Sequence, residues 1–332
     1  MANSQWTKKL VQQHARVAVA IELYTVPFYT TVMTSIKEKD SEACKILRGI
    51  LIEEMMHMQL AANLCLALDT IPQMRPPSYT GNVPFLKPGV VINVDMDYLN
   101  ARTLAEMMAI ETPEDVINDG IDKKGPDFPY SSIGEMYHAL LHGIEKIGED
   151  QFGWDTTNQQ KLWVEQGYPQ IIRNIDDAKE AIEAIEQQGE GRRLEEGVQE
   201  PYEPSDFLVE EKYQMKNEAA NGSPHGPYTE IALKKYSHYG RLLKIQQDAL
   251  HNNGLPEVYT GEDNPDHPLN VELALKLRMM IAHFSTIWAG MPEGLPITVS
   301  HDMLWTAALS LMREITEIAG ECWKKGITPD WS

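Results

Sequence analysis

Along most of this chain apolar residues recur every three or four positions, the spacing of one helix face, and no stretch sustains the alternation of a strand. An all-α protein is therefore expected. Residues from about 5 to 38 read as one long helix, and the run from Val17 to Val26 is apolar nearly all round, as a central helix should be. Glu22 is the only charge in that run, with no basic neighbour inside it. Pro27 removes a backbone hydrogen bond and predicts a kink about one turn beyond Glu22. Asp40-Ser41 offers an N-cap for a second helix over about 42–68, and the two helices read as an antiparallel hairpin.

Prolines at 72, 76, 77, 84 and 88, with Gly81 and Gly89, then predict an extended connection, the long crossover of a bundle whose second helix pair lies elsewhere in the chain. A short helix over about 101–111 carries Glu106 and Glu111 and ends at Thr112-Pro113, and 114–130 reads as loop. Ser132 and Glu135 stand at capping-box spacing before a helix with the stripe Ile133, Met136, Tyr137, Leu140, Ile144 and Ile147. Glu135, His138 and His142 project from its opposite side. Ile171, Ile175, Ala178, Ile182 and Ile185 mark a further helix over about 170–188. Residues 189–226, rich in Gly, Glu and Pro, read as a loop or lid. The next helix, beginning near Tyr228, sets Ile231, His238, Leu242, Ile245 and Ala249 on one stripe, so His238 faces the core. Two last helices are expected near 269–288 and 300–324, with methionines as core filling.

The chemistry concentrates at Ile52-Glu53-Glu54-Met55-Met56-His57-Met58-Gln59-Leu60. On a helix Glu54 and His57 lie one turn apart on a face shared with Ile50, Ala61, Leu64 and Cys65, so both ionisable groups point into the core. A buried carboxylate is costly unless neutralised, and a cation does this directly. A Glu-x-x-His on one helix beside a lone buried Glu22 on the next is half of a carboxylate-bridged dimetal site. Glu135-Met136-Tyr137-His138 repeats the spacing. Its periodicity leaves two readings open, the matching half-site or a helix cap followed by a solvated histidine.

Composition narrows the function classes. The 332 residues carry 29 Lys plus Arg against 49 Asp plus Glu, a net charge of −20, which opposes binding to nucleic acid or to an anionic membrane face. The start lacks a basic segment followed by an apolar one, and no later run supplies the roughly 18 uncharged apolar residues of a bilayer span, so a cytoplasmic protein is expected. Cys44, Cys65 and Cys322 are too few and too far apart for a disulfide framework or a zinc ribbon. Cys65 is either a small core hydrophobe or a neighbour of the site.

The stretches Glu53 to Leu64, Ile110-Glu111-Thr112-Pro113-Glu114, Ile133-Gly134-Glu135-Met136-Tyr137, Gln188-Gly189-Glu190-Gly191 and Ser237-His238-Tyr239-Gly240-Arg241 occur in the order seen in ferritin-like proteins. Over about residues 8–250 the chain resembles the iminophenylpyruvate dimer synthase type, known from the violacein and rebeccamycin pathways. The resemblance implies a ferritin-like helical bundle, taken as residues 1–250; the last two helices lie beyond its reach and are expected as an extension over 251–332 packed on that bundle. Its metal ligands would be drawn from Glu22, Glu54, His57, Glu135, Glu190 and His238. It further implies one or two iron ions, with manganese as the alternative, a small amino-acid-derived substrate, dioxygen, and an oxidation such as oxidative coupling, with self-association left open. Lys235 departs from the pattern, standing where a symmetrical Glu-x-x-His would place its carboxylate before His238. That leaves a second ion weakly held, absent or completed by Glu186 or Glu190, or leaves the ammonium paired with a bridging carboxylate. A non-catalytic iron-binding protein and a metal-free scaffold are the rival readings.

Overall fold

The first helix, Lys8–Ser35 (α1), is the axis of the molecule, and every residue from Ile21 to Ser35 is buried. The fold is seen in a computed structural model that describes residues 5–79, 94–113, 116, 126, 129–161, 165–191, 194, 198, 200–216, 232–252, 254–290 and 300–332. Thr7 caps α1 by accepting from the Leu10 amide, and the helix continues through Pro27 to Ser35. Thr31 Oγ1 donates to the carbonyl of Pro27 one turn back. Once Glu22 is allowed for, α1 has the length and mean hydropathy (1.3) of a membrane span. In this structure 89% of that window is buried within the protein, so its apolarity serves the core.

Glu42–Ala67 (α2) starts at Ser41, as the sequence suggested, and packs antiparallel against α1 along its length. The crossover follows. Residues 70–79 and 94–98 are without helix or strand, and the prolines and glycines of 80–93 lie outside the described residues. Ala101–Ile110 (α3) is nucleated by a capping box between Asn100 and Thr103. Ile133–Ile147 (α4) packs on α1, and Ile175–Gly189 (α5) packs on both α4 and α2, which closes a four-helix bundle of α1, α2, α4 and α5. Between α4 and α5, Asn63 of α2 pins the intervening loop by donating to the carbonyls of Gln160 and Gln170.

His238–His251 (α6) begins later than its periodicity suggested. Residues 232–235 form a turn and Tyr228 to Ile231 lie outside the described residues. The reason is local, because Ser237 caps the helix through the Gly240 amide and a capping residue has non-helical backbone. Contacts join α6 to α3 and α2 at one side of the bundle.

Pro268–Ala289 (α7) and His301–Lys324 (α8) form a second hairpin that lies on α1 through α8. The Trp323 and Trp331 indoles donate to the carbonyl and the hydroxyl of Thr31 at 3.0 and 2.8 Å. At about 25 cal/mol per Å2, burying an indole of about 150–250 Å2 supplies roughly 4–6 kcal/mol of gross transfer free energy, which favours seating this segment on α1.

Candidate metal centre

Two helices and two helix ends converge on a point inside the bundle. Glu54 and His57, one turn apart on α2, and Glu22, on the facing side of α1, point into the space between them. His57 Nδ1 lies 3.6 Å from Glu22 Oε2 and 3.8 Å from Glu54 Oε1. From the other side His238, the first residue of α6, brings its Nδ1 to 2.8 Å from Glu54 Oε1 and 3.5 Å from Oε2 of Glu111, which caps the C-terminus of α3. One oxygen of Glu54 therefore stands between two imidazoles, whose rings stack 5.3 Å apart. None of the five residues is more than 5% exposed.

The carboxylate oxygens turned away from the centre are satisfied by hydroxyls. Tyr137 donates to Glu22 and Tyr29 to Glu111, each at 2.5 Å, and Thr25 donates to Glu54 at 2.7 Å. Burial together with these carboxylates raises the Tyr29 and Tyr137 hydroxyls well above the ordinary phenol range, so both stay protonated as donors. Each acid thus has one oxygen fixed and one presented inward.

The imidazoles are fixed in the same way. Gln188, on the last turn of α5, donates from its amide nitrogen to the Tyr213 carbonyl at 2.5 Å, so its oxygen faces His57 Nε2 at 2.8 Å and can only accept. The Nε2 of His57 therefore carries the proton, and the lone pair of the neutral ring is on Nδ1, aimed at Glu22 and Glu54. His238 Nε2 faces Glu53 Oε2 at 3.2 Å, and Arg241 donates to the same carboxylate oxygen. The His238 Nδ1 makes no aligned hydrogen bond even though two carboxylates surround it.

Lone pairs and anionic oxygens held face to face in a dry interior repel unless a cation lies between them. When protons serve instead, burial pulls both imidazoles down but the surrounding acids outweigh it: Glu22 and Glu54 leave His57 raised, and Glu111, Glu53 and Glu54 leave His238 raised well above its usual value. Donor atoms of Glu54, His57 and His238 lie within 4.8 Å of one another, close enough to share an ion. Mixed carboxylate and imidazole donors suit iron and manganese. A cavity of about 20 Å3 adjoins the cluster, room for a water-sized molecule, walled by Ile110, Ile133 and Ile185.

The sequence model of the ferritin-like family matches residues 15–211, more than half of the chain. The chain belongs to the ferritin-like family. A solved structure described as a ferritin-like protein from Caulobacter vibrioides superposes on this ferritin-like chain with a TM-score of 0.73 at 20% identity, covering 98% of this chain and 99% of that one. At that identity the likeness speaks for the fold alone. No curated protein matches the sequence. The expected fold class, a ferritin-like bundle with extra C-terminal helices, holds; the narrower iminophenylpyruvate dimer synthase type remains a resemblance.

The six candidate ligands are placed unequally in this ferritin-like bundle. Glu22, Glu54, His57 and His238 meet at the centre. Glu190 reaches the cavity wall, where its Oε1 accepts from the Gly134 amide at 2.8 Å. A Cβ at Gly134 would lie 2.6 Å from that oxygen, so a larger residue there would require Glu190 to shift. Glu135 is not brought to the centre. Its carboxylate takes the Ser131 amide and its own amide donates to Ser132, so the helix-cap reading fits this residue. The fifth group at the centre is Glu111. His138 stands half-exposed against Glu186, which borders the cavity.

Lys235 does not pair with a site carboxylate. It is exposed, with its ammonium 4.8 Å from the Tyr236 ring, because α6 begins only at His238 and three residues earlier is off the helix. Cys65 packs in the core, where burial raises its thiol. Of the expected lid over 189–226, the described part near 207–213 is packed rather than free. Ser237 donates to the Phe207 carbonyl, Gly191 turns at φ +93° against Phe207, and Tyr213 is fully buried holding Gln188. Residues 217–226 lie outside the described set. Periodicity missed Glu53, Arg241, Tyr29 and Tyr137; a second acid beside Glu54 in an apolar helix was the available signal.

Proposed function

We propose that this ferritin-like chain is a metal-dependent oxidoreductase whose cluster holds iron, or manganese in its place, in two positions that share Glu54. The observation that carries this reading is the pinned pair of Nδ1 atoms: Gln188 and Glu53 hold both imidazoles with their inner nitrogens facing carboxylates. Glu22, Glu54 and His57 would hold one ion; Glu54, Glu111 and His238 the other. Iron bound there supplies one-electron redox chemistry with dioxygen as oxidant. Tyr137, Tyr29 and Thr25 keep the acids oriented, and Ile110, Ile133 and Ile185 keep bulk water from the open side. Glu190 lines the same cavity, with its Oε1 engaged by the Gly134 amide.

Following the resemblance, the substrate is a small amino-acid-derived molecule and the reaction an oxidation of the coupling type. Three free, buried cysteines fit a reducing cytoplasm. The test is metal analysis of the purified chain followed by dioxygen uptake with Fe(II) and candidate amino-acid-derived substrates. Two equivalents of iron and substrate-dependent uptake are expected. Bound iron without uptake would favour a non-catalytic iron-binding protein, and a folded chain that binds no metal would favour a scaffold.

A further inference from the structure

The two halves of the centre look alike from inside and differ behind. His57 leans on a neutral amide, Gln188 Oε1, itself oriented by Tyr213 and by the Tyr168 hydroxyl at 3.3 Å. His238 leans on a carboxylate, Glu53, held in a fully buried pair with Arg241, whose own Nε donates to the Tyr236 carbonyl at 2.8 Å. An anionic acceptor makes the opposite ring nitrogen a stronger donor than an amide does, and such supports commonly change metal affinity by about 10–100-fold. The inner faces differ in the same sense. His238 Nδ1 has carboxylate oxygens at 2.8 and 3.5 Å, His57 Nδ1 at 3.6 and 3.8 Å, so the ligands around His238 are gathered closer before any ion arrives.

We infer that the two metal positions are unequal by construction: the His238, Glu111 and Glu54 half binds first and tightly, the His57, Glu22 and Glu54 half second and loosely, with Glu53, Arg241 and Gln188 as positioning residues that set the order. Glu53 Oε2 and Gln188 Oε1 face the outer Nε2 atoms of the two rings, so each acts through its histidine. The inference rests on the metal-binding reading above. It also gives Arg241 a role: without the guanidinium, a charged Glu53 in that interior would be unsupported.

The experiment is calorimetric titration of the full metal-free chain with Mn(II) at fixed pH. Two classes of site are expected. Glu111→Gln should abolish the tight class and Glu22→Gln the loose one, which assigns the halves; the opposite assignment overturns the inference. Glu53→Gln should weaken the tight class about 10–100-fold and leave the loose class unmoved. Gln188→Glu should tighten the loose class alone, and this second variant decides the matter if Glu53→Gln does not fold by circular dichroism. Equal effects on both classes would indicate a merely structural role and overturn the inference while leaving metal binding intact. No binding by the unaltered chain would remove both readings together.

Discussion

Tyr137 of α4 donates to Oε1 of Glu22 on α1 at 2.5 Å, while the other oxygen of Glu22 faces His57. One hydrogen bond thus joins two helices of the bundle and aims an acid at the centre. In Tyr137→Phe, the buried Oε1 loses its donor, and leaving such a group unsatisfied costs about 1–3 kcal/mol. Urea unfolding of the metal-free protein should show that loss. Added Mn(II) should recover part of it if the cation takes over the neutralisation of Glu22.

Metal should stabilise the chain by mass action. At a free concentration about 100-fold above the dissociation constant, an ion that binds only the folded state adds about 2.7 kcal/mol. The urea midpoint should rise with Mn(II) or Fe(II) and return with a chelator. Identical midpoints in metal and in chelator would count against any folded-state site.

Arg241 and Glu53 form a pair at 0% exposure. Burial pushes the Glu53 carboxyl up, but Arg241 and His238 outweigh it and hold the acid below its usual range. Arg241→Leu should therefore cost about 3–5 kcal/mol, since removing one partner leaves a buried charge alone. The double variant with Glu53→Gln should be less destabilised than Arg241→Leu, and a double-mutant cycle in urea checks this.

Glu106 on α3 lies almost wholly buried beside Arg102, whose Nε is 3.4 Å from Oε1. Burial pushes its carboxyl up to about 7 from 4.5, against the pull of Arg102. Between those values the folded state holds a proton that the unfolded state has released, so this group's contribution to stability falls as pH rises from about 4.5 to 7. Glu106→Gln should remove that decline, gaining on the parent at pH 8 relative to pH 5. Parallel urea midpoints at the two pH values would refute it.

Gly134→Ala places a methyl 2.6 Å from Glu190 Oε1. The obstacle is the far end of a flexible side chain, so the fold should survive with a stability change within about 1 kcal/mol. Glu190 should leave the Gly134 amide, and a crystal structure of the variant would show whether it swings toward the cavity.

The long first helix, its lone Glu22, the Ser41 cap and the Glu-x-x-His at Glu54 and His57 were all legible from periodicity and turn chemistry, because each depends on residues within a few turns of one another. The start of α6 was not. An apolar stripe carried the reading back to Tyr228, whereas the Ser237 cap sets the helix start at His238 and moves Lys235 off it. Glu135 shows the same limit: the spacing Glu-x-x-His fits a ligand pair or a helix start equally, and only the Ser131 amide decides between them.

By itself, then, the order of residues determined that this chain is helical, that α1 is central, and that an acid on α1 and an acid and imidazole on α2 turn inward, since side-chain direction along a helix follows from its 3.6-residue period. Tertiary structure decided the rest. Glu111 and His238 join the centre from the end of α3 and the start of α6, more than a hundred residues apart, and Gln188, Glu53 and Arg241 set the ring orientations. Those groups meet because helices pack, and a local period carries no information about which distant helix end will fill the remaining side of a buried charge.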